Sequence, residues 1–378
     1  MFLIGSTILA APTAPVERSP VAALAPDGIV GAQPALRLRD DGSFNILQIA
    51  DVHMGDLTTR ANADAETLKA VGDLLAFEPK VDLAVLSGDQ LHAQDIDDNA
   101  TAYWDKLTGL LDSKGLPHTA ILGNHDVEPQ HGKESAPGAK TNRTALIAHD
   151  AALARSYSVL GPSELWPAAS VFVVDVLSHD PSIERPALQL VHLDSGGGDM
   201  PQEVHAAQVA WFNRTLAARR ARWGFVPALV FVHIPLPEVV GAWEEQRCFG
   251  DKDEDIGPTD TNAGLFDAIQ AAPEVRAVFS GHQHCNDFCC RFGAERAVSL
   301  CYGRHSGAGG YPCEGALELW GSRVVEVSPL SNGSLAISTH VRLVDGRTVA
   351  KGELRSMMEL ARLCGVWQES VEGGDLTA

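Results

Sequence analysis

Side chains that bind metal ions recur in the sequence directly after short apolar runs. The runs and their last residues are IADVH with Asp51 and His53, LSGDQ with Asp89, LGNHD with Asn124, His125 and Asp126, FVHIP with His233, and FSGHQH with His282 and His284. Imidazole, carboxylate and amide donors without thiolate suit zinc, manganese or iron. A carboxylate such as that of Asp89 can also bridge two cations with its two oxygens. The residue types therefore predict a site for divalent or trivalent ions, in which a bridging carboxylate could serve two of them.

The apolar runs that precede these residues are typical of β-strands. From Ser43 onward such runs alternate with segments of helical period, which predicts an α/β layered fold. Ligands of open α/β sheets collect at the carboxyl ends of the strands, so residues far apart in the chain can meet there. We therefore expect the five segments to form a single site.

The spacing within each segment also favours shared ligands. Asp51 and His53 lie two residues apart, and on an extended segment their side chains would point to one side. His282 and His284 repeat this spacing and could hold two neighbouring ions. Gly88 precedes Asp89, where a missing Cβ would allow the backbone to approach a metal closely.

Three helices and several strands are predicted between residues 43 and 294. The first helix begins at a capping Asn62, the second ends at Gly115, and the third begins near Pro201. After about residue 294 the short runs AVSLCYG, ALELW, RVVEVS and SLAISTHVRLV predict a second sheet packed on the first. One domain is expected over 36–355, flanked by an N-terminal segment at 1–35 and a tail at 356–378.

Charge and apolar content exclude some classes of partner. The 29 Lys and Arg against 49 Asp and Glu give a net charge of −20, and no basic stripe is present, so extended nucleic acid is not an expected partner. No apolar run approaches the roughly 20 residues that span a bilayer. An integral membrane segment is therefore not expected.

The signals that bear on location are incomplete. The start, MFLIGSTILAAPTAP, has the apolar region and small residues of a secretory signal peptide but no positive n-region. Four N-glycosylation sequons also favour the secretory pathway, at Asn99, Asn142, Asn213 and Asn332. Six of the seven cysteines lie between Cys248 and Cys313, either as disulfides or as buried thiols. The chain is secreted, vacuolar or at the cell surface on one interpretation, and cytoplasmic on the other.

In order, the motifs D-x-H, G-D, G-N-H-D, H and G-H-x-H resemble those of the calcineurin-like metallophosphoesterase superfamily. The segments HIPLPE, GHQHCNDFC, LCYG and SRVVEV resemble, within it, the purple-acid-phosphatase-like phosphatases typified by a yeast dosage-dependent cell-cycle regulator and its plant relatives. The resemblance implies a four-layer α/β/β/α sandwich of two mixed sheets, with a dinuclear metal site at the carboxyl rim of the sheets.

The resemblance also implies a role for each motif residue. The first ion would be held by Asp51, His53, Asp89 and His284, and the second by Asp89, Asn124, His233 and His282. His125 would lie beside the scissile phosphate, and Asp126 would hold its imidazole. Purple phosphatases carry an iron-binding tyrosine three residues after the bridging aspartate, where this chain has His92. We therefore expect a colourless protein, with His92 at the rim of the site.

Two glycine-rich segments are further candidates near the site. Arg304 in CYGRHSGAGGY could bind a substrate phosphate through its guanidinium. LDSGGGDM lacks the lysine and the glycine spacing of a phosphate-binding loop, so it is interpreted as a turn near the rim.

The function expected from the resemblance is hydrolysis of phosphomonoesters, on a phosphoprotein or a small phosphorylated metabolite, by attack of a metal-activated water. His125 would protonate the leaving alkoxide or help to neutralise the developing charge. A phosphodiesterase or nucleotide pyrophosphatase is the alternative, because the same ions serve both reactions. The complete set of ligand motifs argues against a non-enzymatic scaffold.

Overall fold

The computed structural model describes residues 33–56, 58, 61–96, 99–128, 142–198, 200–293 and 296–354. The predicted tail at 356–378 lies outside these residues, as does the predicted N-terminal segment apart from its last three positions. The domain boundaries at 36 and 355 stay predictions.

One sheet has six strands, in the spatial order β13-β12-β11-β1-β2-β3. Its strands are β1 Phe44–Ile49, β2 Leu83–Ser87, β3 His118–Ile121, β11 Gly321–Pro329, β12 Leu335–Leu343 and β13 Thr348–Glu353. β1, β2 and β3 run parallel, whereas β11 pairs antiparallel with β1. The sheet is therefore mixed.

The other sheet has seven strands, in the order β4-β5-β6-β8-β10-β9-β7. They are β4 Phe172–Leu177, β5 Pro186–His192, β6 Ala228–Phe231, β7 Cys248–Phe249, β8 Val275–Ser280, β9 Cys289–Phe292 and β10 Val298–Tyr302. β5, β6, β8 and β10 are parallel. Their carboxyl ends therefore share one edge.

Helices cover the outer face of each sheet. They are α1 Ala63–Phe77, α2 Ala100–Ser113, α3 Arg143–Ala151, α4 Ala206–Trp223, α5 Glu238–Glu244 and α6 Leu265–Ala271. The first three share an apolar cluster with one face of β1 and β2, and the last three share another with the second sheet. A third cluster lies between the sheets. The predicted α/β/β/α sandwich is confirmed.

Strand alternation explains this layering. On β2, Leu83 and Val85 belong to the cluster between the sheets, whereas Ala84 and Leu86 belong to the cluster beneath the helices. Side chains of a strand point alternately to opposite faces, so a strand covered on both sides must be apolar throughout. All five residues of β2 are accordingly buried, and four of them are apolar.

Several details of the prediction were wrong. The strands after residue 294 do not form one sheet of their own. β10 joins the second sheet, whereas β11 and β12 extend the first. β11 does so by pairing antiparallel with the edge of β1 that β2 leaves open. ALELW is no strand, and a 3₁₀ turn spans Gly315–Leu317. α4 begins at Ala206, well after Pro201, and the His205 imidazole accepts a capping hydrogen bond from the Ala207 N–H. Asn62 makes no side-chain cap for α1.

Six cysteines form three disulfides in the structure, so the alternative of buried thiols does not apply to them. They join Cys248 to Cys290, Cys285 to Cys313, and Cys289 to Cys301. Cys248 and Cys301 each lie opposite their partner on a neighbouring strand, so two of the bridges fasten β9 to both of its neighbours. Within the part of the chain that the structure describes, no helix is long and apolar enough to cross a bilayer.

Candidate metal centre

The structure brings all seven predicted metal ligands together at the carboxyl ends of five strands. Two groups have ligand atoms within 4.8 Å of one another: Asp51, His53 and His284 form the first, and Asp89, His233 and His282 the second. The Asn124 Oδ1 atom lies 3.2 Å from His233 Nε2, which adds the amide to the second group. These groups correspond to the two predicted sets of ligands.

The backbone at four of these ligands adopts a left-handed conformation. Asp51, His53, Asp89 and His282 have φ of 56°, 48°, 51° and 76°, and among the described residues only Gln246 and Ala350 share this with them outside glycine. Such backbone is strained and persists where function requires it. Asp51 and His53 therefore face one site because of this loop geometry, and the extended segment expected from their spacing was wrong.

Gly88 makes room for a ligand ring. Its φ is +97°, and a Cβ at this position would lie 2.3 Å from the His233 Nδ1 atom. The predicted need for glycine before Asp89 is thus met, although the close neighbour is an imidazole of the site.

The first group contains two imidazoles that face each other. His53 Nε2 and His284 Nε2 are 3.1 Å apart. Burial lowers the pKa of both rings well below 6.5, which favours their neutral forms. The other nitrogen of His284, Nδ1, lies 2.9 Å from the Tyr311 carbonyl oxygen and donates its proton there. Its Nε2 lone pair is then directed at the site, as in metal-binding histidines whose second nitrogen is held by a carbonyl.

His233 has the same arrangement in the second group. Its Nδ1 lies 3.0 Å from the Ser87 carbonyl oxygen, which accepts the proton, and its Nε2 lies 3.1 Å from Asp89 Oδ2. Burial tends to lower the pKa of His233, but the carboxylates of Asp89 and Asp51 outweigh it and raise the pKa to about 9. The carboxylates thus attract positive charge to this position, which a cation would also supply.

Asp51 provides a test of whether cations fit. Its Oδ1 accepts a hydrogen bond from the His282 N–H at 2.9 Å, while its Oδ2 is buried and has no hydrogen-bond partner among the described residues. Burial raises the pKa of Asp51 to about 8, an effect that nearby Asp89 reinforces and His233 only partly offsets. A buried carboxylate oxygen without a donor is costly unless it coordinates an ion. The donors present therefore fit two cations, with Asp89 between the two groups.

An open cleft of about 480 Å³ leads to the ligands. His53, Asp89, His282 and His284 line it, together with His92, Gln94, His125 and Tyr311. The Tyr311 ring stacks on the His284 ring at a centroid distance of 3.9 Å. His92 is mostly buried and its Nδ1 lies 3.1 Å from His53 Nδ1, so it contacts the back of a ligand as well as the cleft.

The prediction that Asp126 holds the His125 imidazole was wrong. Its carboxylate accepts hydrogen bonds from the backbone N–H groups of Asp89, Leu91 and Gly123, at 2.7 to 2.9 Å. The His125 imidazole instead places Nδ1 3.1 Å from Gln94 Oε1. Asp126 therefore shapes the loop that carries the Asp89 carboxylate.

The hypothesis that Arg304 binds a phosphate of the substrate was also wrong. Its side chain is 1% exposed, and its guanidinium donates to Asp287 Oδ2 and to the Leu319 carbonyl oxygen, each at 2.7 Å. The amide oxygen of Asn286, two residues after His284, accepts from the backbone N–H groups of residues 253 and 254. These residues stabilise the surrounding turns.

Sequence reasoning missed a buried ion pair that supports Asn124. Arg143 is fully buried and donates to both carboxylate oxygens of Asp194, at 2.6 and 3.1 Å, and to the carbonyl of Gly197. A Cβ on Gly197 would lie 2.2 Å from the Asn124 Cβ, so the predicted turn LDSGGGDM packs directly against the ligand. Asp194 directly follows Leu193 at the end of an apolar run, and the rule that identified the metal ligands could have found it.

Comparison with known proteins identifies a family and relatives for the chain. Residues 44–286 match the family model of the calcineurin-like phosphoesterases. An Arabidopsis thaliana protein named "Probable inactive purple acid phosphatase 14" is 29% identical over 76% of this chain and 76% of its own length. Phosphatase DCR2 from Saccharomyces cerevisiae is 26% identical over 72% of this chain and 49% of its own length.

A solved structure has the same fold. A dimetal phosphatase from Danio rerio superimposes with a TM-score of 0.51 at 13% identity, over 82% of this chain and 99% of that one. The family model covers well over half of the 378 residues and includes every candidate metal ligand. The chain therefore belongs to the calcineurin-like phosphoesterase family.

Proposed function

We propose that the chain is a dinuclear-metal phosphoesterase that hydrolyses phosphomonoesters, on a phosphoprotein or a small phosphorylated metabolite. The observation that supports this best is the meeting of two complete donor groups around the Asp89 carboxylate, at the floor of an open cleft. Zinc, manganese and iron all suit these donors.

Two cations held by these residues would supply the Lewis acidity that makes a water nucleophilic and attracts the oxygens of the phosphate. The chain contributes the geometry. Asp89 Oδ1 accepts the His125 N–H at 2.7 Å, so the residue that carries the bridging carboxylate also fixes the start of the loop bearing the imidazole. His125 lines the cleft and can donate a proton to the leaving alkoxide, an effect of about 10²–10⁴ in rate.

The opposing proposal is a scaffold without catalysis, as the words "probable inactive" in the name of the Arabidopsis relative suggest for that protein. Loss of catalysis would remove the need to keep costly features. In this chain four ligands retain left-handed backbone and Asp51 retains an orphaned carboxylate oxygen. Both features destabilise a protein that binds no ions, so they favour a chain that binds ions, as the proposed enzyme requires.

The test compares p-nitrophenyl phosphate with its bis-ester, using protein supplied with zinc or manganese. We expect a higher kcat/KM on the monoester, and a loss of more than about a hundredfold in the Asn124→Ala variant. Asn262→Ala, which changes an exposed asparagine outside the cleft, serves as the matched control. A higher kcat/KM on the bis-ester supports the phosphodiesterase, and inactivity on both esters supports the scaffold.

We also propose that the protein matures in an oxidising compartment. Three disulfides within one region are typical of secreted or vacuolar chains, since cytosolic thiols are kept reduced. Mass spectrometry of protein from its native source, alkylated before and after reduction, should show six protected cysteines. Six thiols alkylated without reduction would contradict the proposal.

A further inference from the structure

A line of polar contacts connects a metal ligand to His125. His53 Nδ1 lies 3.1 Å from His92 Nδ1, the second nitrogen of His92 contacts the side-chain amide of Gln94, and Gln94 lies 3.1 Å from His125 Nδ1. His92 and Gln94 are held in place by the 3₁₀ turn Ala93–Asp95, whose first N–H donates to the His125 carbonyl at 2.9 Å. All four side chains line the cleft.

In a chain of hydrogen bonds between these groups, the donors all point either toward His125 or toward His53. A neutral imidazole has one N–H donor and one acceptor nitrogen, and a carboxamide offers one donor group and one acceptor oxygen. If each contact is a hydrogen bond between neutral groups, the proton position on the first ring determines the orientation of each later group. Reversing one member therefore reverses them all.

Cation binding at His53 selects one of the two directions. The Nε2 atom of His53 faces His284 Nε2 and lies 3.8 Å from Asp89 Oδ2, so it is the nitrogen that would hold an ion. A coordinating nitrogen carries no proton, which places the His53 proton on Nδ1. His53 then donates to His92 Nδ1, and the opposite nitrogen of His92 donates to the oxygen of the Gln94 amide.

The last contact then sets the tautomer of His125. Gln94 donates from its NH₂ group to His125 Nδ1, so the proton of a neutral His125 lies on Nε2. The structure presents Gln94 Oε1 to His125, which is the opposite direction, and a half-turn of the amide interconverts the two with little change of shape. Only the direction imposed by an ion leaves His125 with an Nε2 proton to donate.

We propose that His92 and Gln94 are positioning residues that convert cation binding at His53 into the proton-donating tautomer of His125. This inference rests on the proposed function and deepens it, because it explains how His125 is prepared to donate to a phosphate oxygen or a leaving alkoxide. A third cation between His53, His92 and His125 is the competing arrangement, since their nitrogens lie within 4.8 Å. The two arrangements differ in metal content, because a cation at this position would add a third zinc equivalent and the relay would not.

The first test reads the tautomer directly. Protein labelled with ¹⁵N-histidine and loaded with zinc is observed by NMR, and the His125 signals are identified from their absence in His125→Asn. We expect the Nε2–H form in the wild-type protein and a shift toward Nδ1–H in Gln94→Glu, whose carboxylate accepts from both neighbours. Gln246→Met, on an exposed glutamine outside the cleft, should leave the spectrum unchanged.

The second test uses the leaving group. Gln94→Met keeps the volume of the side chain but removes its hydrogen bonds. We expect kcat to fall about 10- to 100-fold on an alkyl monoester, whose alkoxide needs a proton, and less than about threefold on p-nitrophenyl phosphate. Zinc content should stay at two equivalents, and Gln246→Met should leave both rates unchanged.

Several outcomes would overturn the relay. These are an unchanged His125 tautomer in Gln94→Glu, equal losses of kcat on both esters in Gln94→Met, and a third zinc equivalent that His92→Phe removes. Failure of the relay is distinguishable from failure of the proposed function. A wild-type protein that binds two zinc ions but hydrolyses neither ester contradicts the function, while the NMR result still decides the tautomer.

Discussion

The Nε2 atoms of His53 and His284 lie 3.1 Å apart, although 231 residues separate them in the chain. Both rings are buried, and burial lowers the pKa of each well below 6.5. The Nδ1 proton of His284 is donated to the Tyr311 carbonyl, so its Nε2 lone pair points toward His53. Two neutral imidazoles held in this way form half of a ligand shell.

The Asp89 carboxylate should be the ligand on which both ions depend. We expect Asp89→Ala to reduce bound zinc from two equivalents to less than one and to lower kcat/KM by more than about a hundredfold, because even partners outside the ligand shell cost 10- to 100-fold. Elemental analysis of dialysed protein measures the metal. Asp175→Ala, which removes a partner of Arg219 on the second sheet, is the control and should retain both ions. Two ions retained in Asp89→Ala would exclude a bridging role.

The buried Arg143–Asp194 pair should stabilise the fold strongly. Asp194→Ala leaves a fully buried guanidinium without its carboxylate, and we expect the free energy of unfolding to fall by about 3–5 kcal/mol. Denaturant titration measures this change. Asp345→Ala breaks an exposed pair with Arg347 and should change the free energy of unfolding far less, because solvent screens the pair. Equal effects of the two variants would contradict the account.

Asp150 should make the protein sensitive to acid. Burial tends to raise its pKa, but the His118 imidazole and the hydrogen bonds from His118, Ser156 and Ser158 outweigh this and lower the pKa from 3.8 to about 2. A carboxylate with a lowered pKa stabilises the fold above pH 4, and this contribution is lost as the pH falls toward 2. The wild-type protein should lose about 2 kcal/mol more than Asp150→Asn over that interval. Unfolding titrations of both proteins at pH 4 and pH 2 measure the difference. An equal loss of stability in the wild type and in Asp150→Asn would contradict the prediction.

The Cys285–Cys313 disulfide should stabilise the segment that follows His284. It closes a loop of 28 residues, and its removal in Cys285→Ala/Cys313→Ala should lower the free energy of unfolding by about 2–4 kcal/mol. Denaturation with and without reductant measures the loss. In reductant the difference between variant and wild type should disappear. A difference that persists there would mean that the bridge does not provide the stabilisation.

The meeting of the proposed metal ligands could be predicted from the sequence because their residue types follow recognisable strands. Asp51, Asp89, His233 and His284 each come shortly after an apolar run, and parallel strands bring their carboxyl ends to one edge. The layered fold followed from the same runs. Topology, residue type and position after a strand were sufficient for this part of the site.

The direction in which a side chain points could not be predicted in the same way. Arg304 and Asp126 have types that suit catalysis, yet long-range contacts turn the first toward Asp287 and the second toward the backbone around Asp89. Gln94 was missed because a glutamine after a strand has no chemical signature until its neighbours His92 and His125 are known. Such roles depend on contacts between segments that the sequence alone does not align.

The most direct test of the dinuclear phosphoesterase is a zinc titration of the metal-free chain while hydrolysis of p-nitrophenyl phosphate is recorded. Asp89 Oδ2 lies 3.1 Å from His233 Nε2 and 3.8 Å from His53 Nε2, between the two donor groups. If it serves both ions, we expect little activity at one equivalent, a steep rise toward the second and a plateau at two. Activity that saturates at one equivalent, or no hydrolysis with two ions bound, would contradict the account.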